Sequence, residues 1–186
     1  MEIVSPEKLL LKVVMVLDKL KIDYLITGSF AVSVWGRPRA TFDIDIVVKL
    51  IEPKIAPLAK LLKEISKEGY IDENTAKEAA GGKGEFNFID PDTGLKVDFW
   101  VEKDDLETKA QFNRRIVKKI NNKKVYFISP EDLILNKLKW YKQTESSRHL
   151  EDIGSIFKIS GKKLDKKYLR QNAEKLGFLK IINKYL

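Results

Sequence analysis

Two aspartates interrupt an otherwise apolar strand-like segment, FDIDIVV, and this segment constrains the fold more than any other part of the sequence. Side chains alternate between the two faces of a β-strand, so Asp43 and Asp45 are expected on one face, with Ile44 and Ile46 on the other. Two carboxylates on one face repel each other and are costly to desolvate unless a cation compensates. The segment therefore predicts a strand that is buried on one side and binds a cation on the other.

A second segment, LKVDFWV, has the same pattern. Leu95, Val97 and Phe99 are expected on a buried face and Asp98 on the opposite face. If this strand lies beside the first, three carboxylates converge. Mg²⁺ prefers such oxygen ligands and keeps waters or substrate phosphates in its remaining positions. We therefore predict two Mg²⁺ ions, with Mn²⁺ as an alternative, that hold the attacking and leaving oxygens of a phosphoryl displacement.

A phosphate-binding turn is predicted upstream of the aspartates. The strand-like segment IDYLIT ends at Gly28, and a short helix begins at Ser29. A helix N-terminus has free N–H groups and a positive dipole end, which both favour a phosphate. The Ser29 hydroxyl adds a donor, and Arg37 and Arg39 can bind triphosphate oxygens and neutralise charge in the transition state.

Simpler interpretations exist for each of these residues. A lone Asp-x-Asp is also typical of a solvated strand edge, and Asp98 could be a surface acid. Arg39 could pair structurally with Asp43 or Asp45. Thr41 could order the arginine-containing loop, although its β-propensity explains its place equally well.

Composition restricts the chemistry further. The chain has no cysteine and a single histidine, His149, which excludes thiolate metal sites and leaves little room for histidine-based zinc sites or a Ser-His-Asp triad. We assign no role to His149, which we expect on a helix surface. Catalysis must therefore rest on carboxylates, lysines, arginines and hydroxyls.

The net charge of +8 favours an anionic partner such as a nucleotide or a nucleic acid, although a lysine-rich solvated surface gives the same number. Two basic runs, residues 109–124 and the tail from residue 160, are candidate RNA contacts. A lysine-rich solvated surface would explain these two runs as well. No apolar run reaches the roughly 20 residues of a membrane span, and the N-terminus does not resemble a signal peptide. We expect a soluble cytoplasmic protein.

Strand and helix patterns alternate up to about residue 128, and helical patterns follow to the end. Residues 1–128 are expected to form an α/β (α+β) core with a small mixed β-sheet flanked by helices. Near its end, the segments RIVKKI and KKVYFI flank Asn121-Asn122, which predicts a β-hairpin. Residues 129–186 are expected to form a C-terminal helical bundle. Its first helix should begin at Pro130, after a Ser129 cap.

The order Gly-Ser, helix, Asp-x-Asp on a strand and a lone Asp on a later strand resembles the DNA polymerase β-like nucleotidyltransferase superfamily. Thirteen residues separate Ser29 from Asp43, which is similar to its minimal members. The resemblance implies the nucleotidyltransferase fold and contacts of Gly28 and Ser29 with the triphosphate. It also implies metal binding by Asp43 and Asp45 and assistance to the attacking hydroxyl by Asp98.

The helical part resembles the abortive-infection (AbiEii-type) nucleotidyltransferases, through SPEDLILNKLKW followed by RHLEDI. The resemblance implies that Lys137 binds the nucleotide phosphates and that Asp152 positions the lysine or the base. Lys137 and Asp152 could equally form an ordinary salt bridge between helices, or Asp152 could pair with Arg148 on its own helix.

The resemblance implies transfer of a nucleoside monophosphate from a nucleoside triphosphate to a hydroxyl, with release of pyrophosphate. Two acceptors remain open, namely the 3′ end of an RNA such as tRNA, and a protein side chain. A toxin–antitoxin or abortive-infection setting, with a toxin or antitoxin partner, is also implied. The alternative is a catalytically silent, antitoxin-like module that binds a nucleotide or a partner. The sequence does not predict an oligomeric state.

Overall fold

The computed structural model describes residues 6–102 and 105–186. The chain divides into two compact units. The first comprises Met1–Phe30 and Ala40–Phe127, and the second comprises Ala31–Arg39 and Ile128–Leu186.

The first unit contains a mixed sheet, whose strand order within the described residues is β3-β4-β5-β2-β1-β7-β6. The strands are β1 (Tyr24–Ile26), β2 (Asp43–Val48), β3 (Tyr70–Ile71), β4 (Glu85–Asp90), β5 (Leu95–Val101), β6 (Ile116–Ile120) and β7 (Lys123–Phe127). Pairing is parallel between β2 and β5 and between β1 and β7, and antiparallel for the other neighbours. The predicted mixed sheet is therefore confirmed.

The alternation of side chains along a strand explains which residues of β2 and β5 are buried. Ile44, Ile46 and Val48 of β2 are fully buried, whereas Asp43 is exposed and Asp45 is half-buried. On β5, the apolar residues Leu95, Val97 and Phe99 are buried in the same way. Each strand thus contributes one apolar face to the core and turns its acidic residues to the opposite face, as the sequence predicts.

Helices accompany the strands of the first unit. They are α1 (Pro6–Lys19), the start of α2 (Gly28–Trp35), α3 (Ile55–Ile65), α4 (Glu73–Glu78) and α5 (Leu106–Arg114). Leu9, Val13 and Leu17 lie on one stripe of α1 and are fully buried. Asp72 and Asp105 cap α4 and α5, since their carboxylates accept hydrogen bonds from backbone N–H groups of the first turn.

A two-residue turn joins β6 and β7, as the sequence predicts. Asn121 and Asn122 have φ angles of 45° and 64°. This left-handed backbone matches the twist of a tight hairpin, and asparagine tolerates it better than most residues. The two-residue strand β3 was not predicted, because two residues in a polar segment show no periodicity.

The second unit is mainly helical. It contains the rest of α2 together with α6 (Pro130–Thr144), α7 (Ser147–Ser160), α8 (Lys166–Lys175) and α9 (Leu179–Ile182). The predicted start of α6 is confirmed, since the Ser129 hydroxyl accepts a hydrogen bond of 3.1 Å from the Asp132 N–H. The segment Ala31–Arg39 is tied to the rest of this unit by Trp35, whose indole N–H donates to the Ile128 carbonyl at 2.9 Å.

Within residues 6–102 and 105–186, no helix is long and apolar enough to cross a membrane.

Candidate active site

The two acidic strands lie side by side, as expected. β2 and β5 are parallel neighbours, and their register places Asp45 opposite Asp98 and Asp43 opposite Lys96. Adjacent strands are about 4.8 Å apart, and residues two apart along a strand about 7 Å, so three carboxylates share one small area of the sheet. The sequence predicted each strand separately, and the register brings their acids together.

A fourth acid joins this group from β4. The antiparallel pairing of β4 with β5 places Asn87 opposite Asp98 and Glu85 opposite Trp100, all on the same face. We call Asp43, Asp45, Asp98 and Glu85 the acidic strand face. Glu85 was not predicted as a site residue from the sequence, because only the pairing of β4 with β5 shows which face the alternating segment Glu-Phe-Asn-Phe turns toward Asp98.

Two side chains of β5 already bind acids of this face. The ammonium of Lys96 lies 3.0 Å from Asp98 Oδ2. The Trp100 indole N–H donates to Asp45 Oδ1 at 3.4 Å. Repulsion between the carboxylates is thus partly compensated by residues of the protein itself.

The pKa directions record this electrostatic environment. Burial raises the pKa of Glu85, and the negative charge of Asp98 raises it further. Lys96 acts in the opposite direction, and Asp45 contributes the smallest increase. The hydrogen bond to Asp98 raises the pKa of Lys96, with the charges of Asp98, Asp43 and Glu85 acting in the same direction. The face therefore has a negative potential that stabilises cations.

Gly28 closes the other side of Asp45. Its φ of 62° lies in the left-handed region, and a Cβ at this position would overlap Asp45 Oδ2. The backbone is fixed there, because the Thr27 N–H donates to the Asp45 carbonyl at 2.9 Å. Glycine is needed at residue 28 for two reasons, namely its backbone conformation and the close approach of the carboxylate.

Replacing Gly28 by alanine should lower the free energy of unfolding by about 1–3 kcal/mol, through left-handed strain and displacement of the Asp45 carboxylate. Gly94→Ala is the matched control, because Gly94 has a φ of 69° but open space around its Cβ position. For both variants, chemical denaturation would measure the free energy of unfolding, and a nucleotidyl transfer assay would measure activity. If the two variants lost equal stability and activity, the contact of Gly28 with Asp45 would have no importance.

Whether the acidic strand face could hold a metal ion depends on which of its carboxylates are available as ligands. The described residues contain no group of three or more His, Asp or Glu side chains already arranged to hold a metal ion. Asp98 and Asp45 are engaged instead by Lys96 and Trp100. Mg²⁺, however, is ordinarily bound by one or two carboxylates together with waters and substrate phosphates. The register pair of Asp45 and Asp98 fits an ion of this kind, whose coordination the substrate completes.

The remaining predicted residues of the first unit lie close to these elements in the chain. Thr41 is half-buried, and its hydroxyl donates to the Asp43 carbonyl at 3.1 Å and lies 3.4 Å from the Asp43 N–H. Thr41 therefore orders the start of β2. Ser29 lies in the first turn of α2, directly after Gly28.

A second charged cluster lies within the second unit. The Lys137 ammonium of α6 is 2.9 Å from Asp152 Oδ2 of α7. Arg39 contacts the same carboxylate through Nε at 3.1 Å and Nη2 at 3.3 Å. Asp152 therefore pairs with Lys137 and Arg39. Of the simpler interpretations, the salt bridge between the helices is present, and Arg39 binds the same carboxylate of Asp152.

The ionisation of this cluster follows from its contacts. Burial opposes the charged form of Asp152, but hydrogen bonds and charge from Lys137 and Arg39 outweigh burial and hold its pKa below the ordinary value. Burial, reinforced by the Lys137 charge, lowers the pKa of His149. The His149 Nδ1 atom is buried without a hydrogen-bond partner among the described residues. The sequence predicts His149 on a helix surface; it lies on α7 but is half-buried, where the charges of Lys137, Asp152 and Arg39 act on it.

The predicted site residues thus form two groups. The first unit brings together Gly28, Asp45 and Asp98, with Asp43 on the same face and Ser29 and Thr41 nearby in the chain. The second unit brings together Arg39, Lys137 and Asp152. The backbone N–H of Arg37 donates to Ser155 Oγ at 3.3 Å, and its side chain is exposed. The catalytic and nucleotide-binding roles of all these residues stay predictions.

Comparison with known protein families identifies one that matches this chain. Residues 7–180 match the sequence profile of a family described as nucleotidyl transferase of unknown function (DUF2204). The match extends over nearly the whole chain. No curated protein matches the chain significantly.

Solved structures of similar fold include an antibiotic-resistance factor and an antibiotic adenylyltransferase. The antibiotic-resistance factor ANT(2'')-Ia superposes with a TM-score of 0.60 at 13% identity over 97% of both chains. The lincosamide antibiotic adenylyltransferase LnuA gives a TM-score of 0.57 at 15% identity, over 82% of this chain and 97% of LnuA. An antigenic nucleotidyltransferase-like protein from Paracoccidioides brasiliensis gives 0.52 at 26% identity, over 82% of this chain and 76% of that protein.

Proposed function

The chain belongs to the nucleotidyl transferase family that it matches over residues 7–180, and on that premise we propose that it transfers a nucleoside monophosphate from a nucleoside triphosphate to a hydroxyl acceptor. Mg²⁺ would assist the reaction, and pyrophosphate would be released. The observation that carries this proposal is the register pair of Asp45 and Asp98 on the parallel strands β2 and β5.

The proposed step is an in-line displacement. The acceptor oxygen forms a bond to the α-phosphorus, and the bond from that phosphorus to the pyrophosphate oxygen breaks. Asp98 would accept the proton of the acceptor hydroxyl, while Asp43 and Asp45 would hold the metal ions, with Asp98 as a further ligand of one of them. Bound Mg²⁺ would offset the negative charge that develops on the attacking and leaving oxygens.

The other residues have binding roles in this proposal. Gly28 allows the start of α2 to approach closely, and Ser29 offers its N–H and hydroxyl to the triphosphate. Arg37, Arg39 and Lys137 are proposed to bind phosphate oxygens, as the family resemblance implies. Thr41 and Asp152 act by positioning, since Thr41 bonds the backbone of Asp43 and Asp152 holds both Arg39 and Lys137.

The acceptor is proposed to be the 3′ end of an RNA, such as tRNA, or a protein side chain. The basic run of residues 109–124 favours RNA, since it contains seven lysines and arginines and no acidic residue. At 13–15% identity, the antibiotic-modifying structures show the fold and do not identify the acceptor. A cytoplasmic role within a toxin–antitoxin or abortive-infection system remains part of the proposal.

A labelling experiment tests the function and separates the acceptors. The protein is incubated with each α-³²P-labelled nucleoside triphosphate and Mg²⁺, together with total RNA, with a protein lysate or with a small-molecule hydroxyl acceptor. We expect label on RNA that is sensitive to ribonuclease and resistant to protease, and protease sensitivity would identify a protein acceptor. Absence of transfer to all three, together with tight Mg²⁺-dependent binding of the nucleotide, would favour the silent binding module.

A further inference from the structure

Lys96 occupies a central place on the acidic strand face. It lies opposite Asp43 in the register of β2 and β5, and its ammonium is 3.0 Å from Asp98 Oδ2. The lysine side chain is 40% exposed, whereas the Asp98 side chain is 12% exposed. A mobile cation thus covers a carboxylate that is itself mostly withdrawn from water.

The position matters because Asp98 is one of the proposed metal-binding carboxylates. An ammonium and a divalent ion on the same carboxylate repel each other, and a partly buried location screens this repulsion less than bulk water does. A metal ion that binds Asp98 must therefore displace Lys96 or bind beside its positive charge. Either event makes binding of the metal alone weaker than the carboxylates by themselves would allow.

Resting on the proposed function, we propose that Lys96 is a resident counter-ion of the acidic strand face that competes with the divalent cation for Asp98. A bound nucleoside triphosphate weakens this competition, because its negative charges compensate both the ammonium of Lys96 and the metal ion. The long, flexible lysine side chain lets the ammonium move without rearrangement of β5. The consequence is coupling, since the metal ion binds tightly only when the nucleotide binds with it.

The test measures metal binding rather than catalysis. Mn²⁺ is the probe, because electron paramagnetic resonance reports the free ion directly. Dissociation constants are compared for the wild-type protein, Lys96→Met and the control Lys49→Met. The control is closely matched, since Lys49 also pairs with an acid, Glu102, and their side chains are 41% and 13% exposed.

We expect Lys96→Met to bind Mn²⁺ about tenfold more tightly than the wild type, with little change for Lys49→Met. A non-hydrolysable nucleoside triphosphate analogue should strengthen Mn²⁺ binding less in Lys96→Met than in the wild type. Adding Asp45→Asn to Lys96→Met should abolish the gain, which assigns the gained affinity to this face.

Unchanged or weaker Mn²⁺ binding by Lys96→Met would overturn the inference, as would an equal gain in Lys49→Met. Absence of Mn²⁺ binding in all three proteins would overturn it too. Failure of the proposed function has a different signature. In that case no acceptor becomes labelled, while the tighter Mn²⁺ binding of Lys96→Met persists.

Discussion

Replacing Asp43 and Asp45 together by asparagine is expected to reduce transfer of label from a nucleoside triphosphate by a thousandfold or more, an order of magnitude typical for loss of electrostatic transition-state stabilisation. Asparagine keeps the size of each side chain but removes the negative charge that binds the metal ions. Asp43 is exposed and Asp45 half-buried, so the strand should persist without their charges. The loss should therefore appear in the rate rather than in the fold, and circular dichroism would verify this.

The control removes the same charge elsewhere in the first unit. Glu64 and Glu68 are exposed, and Glu64→Gln with Glu68→Gln should leave transfer unchanged. Transfer by the aspartate double variant within a factor of two of the wild-type rate would refute the proposed role of the acidic strand face.

Asp152→Asn is expected to destabilise the protein by about 3–5 kcal/mol, because it leaves a buried ammonium without its counter-charge. The Lys137 side chain is 8% exposed and the Asp152 side chain 4%. In a chain of this size, such a loss corresponds to a fall in Tm of roughly 10 °C, measured by thermal unfolding. Adding Lys137→Met should restore much of the loss, since a methionine needs no counter-charge there. A loss below about 1 kcal/mol in Asp152→Asn would contradict the importance of this ion pair.

The pH dependence of the same variant provides a second readout. The pKa of Asp152 is lower in the folded protein than its ordinary value of 3.8. Its contribution to stability is therefore present above pH 3.8 and is lost as the pH falls through the lower folded-state pKa. The stability difference between wild type and Asp152→Asn should stay constant from neutral pH to about pH 5, and should shrink as the pH falls below 4.

Most of the features that the sequence predicts correctly follow from local patterns. Alternation fixed the buried and acidic faces of β2 and β5, the pair Asn121-Asn122 indicated the hairpin, and the Ser129 cap indicated the start of α6. The family match confirms the superfamily and the enzyme class that the resemblance implied, and the similar solved structures confirm the fold. These features depend on residues close together in the chain, where physical preferences are strongest.

Contacts between distant residues could not be predicted in this way. Arg39 reaches Asp152 across 113 positions, whereas the sequence suggested only the nearby Asp43 or Asp45 as its partner. Glu85 joins the acidic strand face only through the pairing of β4 with β5, and Asp45 comes to lie beside Asp98 only through the pairing of β2 with β5. Such contacts follow from strand order and register, which periodicity does not determine.

The parallel pairing of β2 with β5 also has a kinetic consequence. These strands are neighbours in space, although the chain forms α3, β3, α4 and β4 between them. Loops of this length must close, at an entropic cost, before the strands can stabilise each other, so contacts of this kind form slowly during folding. Asp45 and Asp98 therefore become neighbours only when the long connection has closed and β5 has paired with β2. Partly folded chains, including those still emerging from the ribosome, would hold the acids apart, and metal-dependent chemistry would begin only on completion of the fold.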